Sequence, residues 1–154
     1  MEADHSMADL TFKADLKWRG VGKEGEGAAT IAKDITVRYS APSEMGGKGV
    51  GTSPEELLIA AVAACYSGTL FRMLQKRGLA VNDLQIRAVG TVTGYPLNGK
   101  FAKLTVNPRI YGGDTSQRVD YQQVAEAARD ACFIGKAIIG NVEYLVGDVT
   151  FADE

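Results

Sequence analysis

The chain has 154 residues, of which 45% are hydrophobic and 23% charged, with a formal net charge of -2. This length suits one domain with a buried core, and the balanced charge argues against a nucleic-acid partner. The longest uncharged segment near the middle, 57–71, is shorter than the roughly 20 apolar residues of a membrane span. We therefore expect a buried helix there and no membrane association.

The amino terminus carries no pattern of an export signal. We expect residues 1–7 to be a disordered leader or a remnant of expression, and residues 8–154 to form a single domain. The chain has two cysteines, too few for the disulfide framework of a small secreted protein. These features favour a cytoplasmic protein.

A single histidine limits the chemistry that one chain can assemble. His5 lies in the predicted leader, so neither a Cys–His pair nor a Ser–His–Asp triad can form. A structural zinc ion needs four ligands, and two distant cysteines with one histidine do not supply them. We expect neither a metal ion nor a bound cofactor.

The amino-terminal part predicts three strands. Apolar and polar residues alternate over 10–18, which is typical of a half-buried strand, and a second strand is predicted for about 28–32. Alternation returns over 35–40, and the glycine-rich segment 41–52 predicts a flexible loop.

The middle of the chain predicts a long helix. Ser53 can cap it, Pro54 suits the first helical position, Glu56 completes a capping box, and Gly78 can end the helix after Arg77. The helix has no polar face, so it must be enclosed on all sides. In a domain of this size we expect a sheet on one side and a partner subunit on the other.

The carboxy-terminal part predicts strands on both sides of a second helix. A strand from residue 84 to about 95 and a return strand over about 101–111 are joined by an Asn98-Gly99 turn. Asp120 and Gln123 are predicted to cap a helix over about 121–134, and a last strand covers about 141–151. This order predicts an α+β fold with antiparallel sheets around a long buried central helix.

Both cysteines are predicted to lie on apolar faces of the two long helices. Small residues surround Cys65 and Cys132, which would let the helices approach closely enough for a disulfide bond. The alternative is that both are packing residues, because free cysteine is among the most buried residue types.

The sequence around both cysteines resembles one family. Segment 51–58, continuing into 63–65, is similar to the central helix of the OsmC/Ohr family, whose names stand for osmotically inducible protein C and organic hydroperoxide resistance protein. Residues 131–132 and 137–142 resemble the segment of the second cysteine. The sequence departs from the family at Phe133, where proline commonly follows that cysteine.

The resemblance covers roughly residues 8–151 and implies a thiol-dependent peroxidase that reduces organic hydroperoxides. By position, Cys65 would be the peroxidatic cysteine, Cys132 the resolving one and Glu55 the active-site glutamate. Arg38 matches the arginine of OsmC-type members, and Arg19 is the alternative in the Ohr branch. The resemblance also implies an intertwined homodimer and an external dithiol reductant; lipoyl groups are among the family's reductants.

Four apolar side chains are candidates for a substrate pocket that would favour alkyl and lipid peroxides: Tyr39, Met45, Phe71 and Phe133. Each is also a candidate for plain core or interface packing. The main alternative for the whole protein is an OsmC-like dimer that binds a small apolar ligand without catalysis. A third reading is a purely structural or interaction protein.

The expected role of the arginine follows from two opposing effects of a lowered thiol pKa. Lowering a thiol pKa by about two units raises the thiolate fraction roughly 25-fold, but nucleophilicity falls about 6- to 10-fold. The arginine must therefore act mainly on the alkoxide that leaves as the O–O bond breaks, with a glutamate holding it in a bidentate pair.

Helix geometry adds a further expectation. Ten helical residues span roughly 15 Å, so Glu55 and Cys65 of one straight helix cannot touch. An arginine clamped by Glu55 can reach Cys65 only if the helix breaks or if the site spans a symmetric dimer. We expect the dimer, with two central helices crossing antiparallel at a two-fold axis.

Overall fold

A computed structural model describes residues 7–152. The predicted leader, His5 included, lies outside the described residues apart from Met7. The chain divides into two compact units, Met1–Pro54 and Glu55–Glu154. The single domain expected over 8–154 stays a prediction.

The amino-terminal unit is built on a three-stranded antiparallel sheet. Its strands are β1 (Asp15–Arg19), β2 (Glu26–Ala32) and β3 (Ile35–Tyr39), in the order β1-β2-β3. The second and third predicted strands are confirmed as β2 and β3. The prediction that the first strand begins near Leu10 is wrong, because pairing between β1 and β2 ends at Asp15–Thr30, and β2 is irregular beyond Thr30.

The long central helix begins and ends where the sequence predicts. Helix α1 covers Pro54–Lys76 without a break. Gly78 follows with a φ of 70°, and the N–H groups of Gly78 and Leu79 bond the carbonyls of Gln75 and Leu74. Glycine adopts this left-handed conformation without a steric penalty, so the turn closes the helix cleanly.

The central helix is buried on one side only within the single chain. Its buried stripe consists of Val62, Tyr66, Leu70 and Leu74. Ala60 and Ala64 are exposed on the other side. By length and composition α1 could cross a membrane, but core helices of soluble proteins pass the same test. The stripe joins the hydrophobic core of the carboxy-terminal unit.

The second sheet departs from the predicted all-antiparallel arrangement. Strands β4 (Asp83–Thr93) and β5 (Lys100–Tyr111) are antiparallel, but β6 (Glu143–Val146) and β7 (Thr150–Phe151) both run parallel to β5. Two helices separate β5 from β6, and such a crossover returns the chain to the end of the sheet where a parallel strand starts. The predicted last strand is thus two short strands.

The connection between β4 and β5 also differs from the prediction. Thr93 pairs with Lys100, so the loop covers residues 94–99 and is longer than a two-residue Asn98-Gly99 turn. The Asn98 N–H donates to the carbonyl of Gly94, which closes the loop internally. This internal bond explains why Asn98-Gly99 does not form the hairpin turn by itself.

The second helix begins and ends earlier than expected. Helix α2 covers Arg118–Ala131, and a separate turn of helix, α3, covers Phe133–Lys136. Asp120 lies inside the first turn of α2, and it is Asp114 that caps the preceding short turn through the Ser116 N–H. Cys132 therefore lies between two helices, and the prediction that it lies within one is wrong.

The core of the carboxy-terminal unit forms between the two helices and the sheet. Leu104, Val106 and Ile110 of β5 are buried on the face predicted from their spacing. They meet the buried stripe of α1 and the apolar side of α2, which contributes Tyr121 and Val124. The Tyr66 hydroxyl donates to the carbonyl of Ala125 at 2.9 Å and links α1 to α2 inside this core.

Candidate active site

The structure brings the two cysteines together in the carboxy-terminal unit. Cys65 lies in the middle of α1 and is half-buried, whereas Cys132 lies between α2 and α3 and is fully buried. Both are free thiols, and their side chains are hydrogen-bond partners. The predicted approach of the two sulfur atoms is therefore present.

Local backbone geometry directs Cys132 toward this contact. Cys132 has an extended conformation, with φ -77° and ψ 110°, and its sulfur caps α3 by accepting from the Gly135 N–H at 3.4 Å. The break after Ala131 turns the first N–H groups of α3 toward the thiols. These groups have no partner within the helix, so they can bond a sulfur acceptor.

The surroundings of Cys65 favour its ionised form. Burial acts to raise the pKa of the Cys65 thiol, but hydrogen bonds outweigh burial and hold the pKa below its ordinary value. The donors are the Cys132 thiol, the Thr69 hydroxyl, and the backbone N–H groups of Ile134 and Phe133. A carrier of partial positive charge next to sulfur stabilises thiolate, which is the nucleophilic form.

Cys132 is affected in the opposite direction. Burial, together with the neighbouring Cys65, raises the pKa of Cys132 to about 11, although the Gly135 N–H acts to lower it. Cys132 is thus a protonated donor at neutral pH, bonded to a Cys65 that ionises more readily. The environments of the two thiols thus shift their pKa values in opposite directions.

Sequence reasoning missed the neutral donors of this site. Thr69 lies four residues after Cys65, and side chains at this spacing share one face of a helix, so its role could have been predicted. The role of the Phe133 and Ile134 N–H groups could not have been predicted, because no residue pattern in the sequence indicates the helix break at Cys132.

Tyr144 is a buried residue near the thiol pair. It lies on β6 and is 1% exposed, and its hydroxyl has no hydrogen-bond partner within residues 7–152. A Cβ atom placed on Gly135 would lie 2.6 Å from Tyr144 Cε2 and 3.5 Å from Cys132 Sγ. The tyrosine ring and the resolving candidate thus lie against the same glycine, which has no room for a side chain.

Glu55 lies in the first turn of α1, and α1 continues unbroken to Cys65 and beyond. The possibility that a helix break brings Glu55 to Cys65 is therefore excluded. One carboxylate oxygen of Glu55, Oε1, is buried and accepts no hydrogen bond from any described residue. A buried carboxylate oxygen in this state is a strong acceptor for a cationic donor.

The two candidate arginines share one face of the amino-terminal sheet. Arg19 lies opposite Glu26 in the β1–β2 register, and Arg38 Nη2 lies 3.6 Å from Glu26 Oε1. Both line a cavity of about 590 Å³ together with Trp18. Lys48 also bonds Glu26, and with Arg38 it holds the pKa of this carboxyl below its usual range. The predicted pairing of Arg38 with Glu55 stays a prediction.

The four apolar candidates lie on different elements. Tyr39 is on β3 and packs near Trp18, with ring centroids 5.9 Å apart, and Met45 ends a short helical turn in the same unit. Phe71 is half-buried on α1, and Phe133 is 71% exposed on α3. Their role in binding substrate stays a prediction. Within the described part of the chain, no cluster of three or more His, Cys, Asp or Glu side chains could hold a metal ion.

The fold and the thiol pair define the class: an α+β protein in which a central helix presents one cysteine to a second, buried cysteine. Residues 46–144 match the model of the OsmC-like protein family. The chain belongs to this family.

The relatives and solved structures agree with this assignment. Protein YmaD of Bacillus subtilis is 31% identical over 140 residues, which cover 89% of this chain and 92% of YmaD. The crystal structure of an organic hydroperoxide resistance protein from Legionella pneumophila is similar, with a TM-score of 0.71 at 23% identity over 92% of this chain and 99% of that chain. The crystal structure of the organic hydroperoxide resistance protein OhrB of Bacillus subtilis is also similar, with a TM-score of 0.64 at 25% identity. The match covers 90% of this chain and 98% of OhrB.

Proposed function

We propose that this protein is a thiol-dependent peroxidase that reduces organic hydroperoxides to alcohols. The observation that carries the proposal is the thiol pair: Cys65 is a half-buried cysteine with a lowered pKa, and it is hydrogen-bonded to a buried Cys132 with a raised pKa. Two structurally related proteins, from Legionella pneumophila and Bacillus subtilis, are organic hydroperoxide resistance proteins. Their names indicate the class of substrate.

The cycle begins with attack of the Cys65 thiolate on the terminal peroxide oxygen. The O–O bond breaks, the alkoxide leaves and takes a proton to become an alcohol, and Cys65 becomes a sulfenic acid. Cys132 then attacks the Cys65 sulfur, the S–O bond breaks, and water leaves. An external dithiol reduces the resulting disulfide by thiol–disulfide exchange.

The arginine and Glu55 act together on the leaving alkoxide. The donors that lower the Cys65 pKa within the carboxy-terminal unit are all neutral. Arg38, held by the buried Oε1 of Glu55, would instead stabilise charge on the leaving oxygen. Arg19, on the same sheet face, is the alternative.

The same geometry supports a homodimer. Glu55 and Cys65 lie ten residues apart on an unbroken helix, roughly 15 Å along its axis. The alanines on the open side of α1 are exposed in the single chain, although the helix is too apolar for a solvated surface. Antiparallel crossing of two such helices would bury these alanines and would bring Glu55 of one subunit toward Cys65 of the other.

Thiol counting tests the proposal. Reduced protein is mixed with cumene hydroperoxide, and free thiols are counted with a chromogenic disulfide reagent under denaturing conditions. We expect both thiols per chain to be lost, the loss to be abolished in Cys65→Ser, and a sulfenic acid that a dimedone probe can trap to accumulate in Cys132→Ser. Unchanged thiols in the wild-type protein would contradict the proposal and would favour a dimer that binds an apolar ligand without catalysis.

A further inference from the structure

Tyr144 is a buried residue near the thiol pair that the proposed cycle does not use. Its side chain is 1% exposed, and among residues 7–152 nothing bonds its hydroxyl. Leaving a buried hydroxyl without a partner costs free energy. A hydroxyl in this state next to a reactive centre is a candidate for a bond that forms only during the reaction.

The contacts of Tyr144 place it next to Cys132. The ring edge and Cys132 Sγ both lie within 4 Å of the Cβ position of Gly135. On the other side, the Arg129 guanidinium lies 5.5 Å from the ring centroid, and Arg129 Nε donates to the Tyr144 carbonyl at 2.6 Å. Arg129 and Gly135 thus both lie against Tyr144. The hydroxyl makes no hydrogen bond to the protonated Cys132 thiol in the reduced protein.

The resolving thiol needs a donor of this kind. When Cys132 attacks, it loses the proton with which it bonds Cys65, and negative charge grows on a sulfur that is fully buried. The backbone N–H groups of Gly135, at 3.4 Å, and of Ile134 already bond this sulfur. Burial of an anion in such surroundings is unfavourable unless a further hydrogen bond forms.

We infer that Tyr144 is a positioning residue for the resolving step, whose hydroxyl donates a hydrogen bond to the Cys132 thiolate as that thiolate forms. In this step the Cys65–Cys132 bond forms, the S–O bond of the Cys65 sulfenic acid breaks, and the thiol proton leaves with hydroxide as water. The sulfenic sulfur is reduced and the Cys132 sulfur is oxidised. This inference rests on the proposed function for its forward direction.

The reverse chemistry gives a test that does not depend on peroxide. Protein oxidised with diamide to the Cys65–Cys132 disulfide is reduced with dithiothreitol, which attacks the more accessible Cys65 sulfur. Cys132 then leaves as a thiolate, and the same hydrogen bond stabilises it. We expect Tyr144→Phe to slow this reduction roughly tenfold, the effect of one hydrogen bond to a charged group.

Tyr121→Phe is the matched control. Tyr121 is equally buried, but its hydroxyl already donates to the Ala80 carbonyl, so its loss should lower stability toward urea and leave the reduction rate unchanged. Tyr144→Phe should keep or raise the stability toward urea, because its buried hydroxyl has no partner to lose. Reduction of Tyr144→Phe at the wild-type rate, or failure of diamide to form the disulfide, would overturn the inference.

A second arm separates this inference from the proposed function. With cumene hydroperoxide, Tyr144→Phe should form the Cys65 sulfenic acid at the wild-type rate but form the disulfide more slowly. If Cys65 does not react with the peroxide while exchange with dithiothreitol is still slowed, the peroxidase proposal fails and the role of Tyr144 stands. If the sulfenic acid forms and both later rates are those of wild type, the role of Tyr144 fails and the peroxidase proposal stands.

Discussion

At the scale of single residues, the site is characterised by neutral hydrogen-bond donors around Cys65. The Cys132 thiol, the first N–H groups of α3 and the Thr69 hydroxyl lower the Cys65 pKa against the effect of burial, and none of these donors carries a formal charge. A pKa below that of the unfolded chain means that folding favours the ionised form. The corresponding stabilisation is present at pH values above the unfolded pKa and is lost as the pH falls through the folded pKa.

Replacing the hydroxyl of Thr69 should raise the Cys65 pKa. Thr69→Val keeps the shape of the side chain but removes a donor to the thiolate, a change worth about 1 kcal/mol, or roughly a fivefold lower rate of alkylation near neutral pH. The measurement is the rate of reaction with iodoacetamide as a function of pH. Thr69→Ser, which keeps the hydroxyl, is the control. An unchanged pH profile in Thr69→Val would show that the hydroxyl does not contribute.

Arginine substitutions should separate activity from thiol ionisation. Because we assign the arginine to the leaving alkoxide, Arg38→Ala should lower kcat/KM for cumene hydroperoxide by roughly a hundredfold and leave the pH profile of Cys65 alkylation nearly unchanged. Arg19→Ala is the matched variant on the same sheet face. A larger loss of kcat/KM in Arg19→Ala would show that Arg19 and not Arg38 stabilises the leaving alkoxide. A shifted pH profile of alkylation in Arg38→Ala would contradict the account, because it would show that Arg38 also ionises Cys65.

At the scale of elements, the decisive feature is the break between α2 and α3. The break turns Cys132 toward Cys65 and supplies the N–H groups of Phe133 and Ile134. It also depends on close packing, because Gly135 has no room for a Cβ atom beside the Tyr144 ring.

Adding a methyl group at Gly135 should disturb this element. Gly135→Ala places a Cβ atom 2.6 Å from Tyr144 Cε2, so α3 must shift, and we expect the free energy of unfolding to fall by about 1–3 kcal/mol. The shift also withdraws the N–H donors, so alkylation of Cys65 near neutral pH should slow. Gly99→Ala is the control, since a Cβ atom there meets nothing closer than 4.0 Å. Equal stability of the two variants in urea unfolding would contradict the packing argument.

The break also marks the limit of what the sequence could predict. The backbone preferences of Pro54 and Gly78 predict where α1 begins and ends, and the structure confirms both positions. Around Cys132 the apolar spacing simply continues into Phe133 and Ile134, so the pattern predicted one helix. Next to the break, Gly135 packs against Tyr144 of β6, a contact that local periodicity does not contain. For the same reason neither the position of Tyr144 nor the parallel β5–β6 pairing could be predicted.

At the scale of the whole molecule, the exposed side of α1 is the surface that a second subunit covers in our proposal. The helix ends and the cysteine spacing are properties of one chain, and they were predictable. In our proposal, Glu55, an arginine and Cys65 come together only when a second chain is present. The sequence indicates this second chain indirectly, because Glu55 and Cys65 lie ten residues apart on a straight helix.

A charge on the exposed side of α1 should separate the subunits. Ala60 is exposed within the single chain, so Ala60→Arg should leave the isolated fold intact but prevent two helices from packing together. We expect the wild-type protein to sediment as a dimer and the variant as a monomer, with activity reduced by roughly a hundredfold because Glu55 and the arginine no longer reach Cys65. Ala127→Arg, at an exposed alanine of α2, is the control. A wild-type monomer at micromolar concentration would refute the dimer.

The central claim is that Cys65 and Cys132 form one redox pair driven by organic hydroperoxides. Intact-protein mass spectrometry after addition of one equivalent of cumene hydroperoxide measures this directly. We predict that the chain loses the mass of two hydrogen atoms, and that peptide mapping without reduction finds Cys65 joined to Cys132. A chain that keeps its mass, or that only gains oxygen atoms without forming this disulfide, would contradict the account.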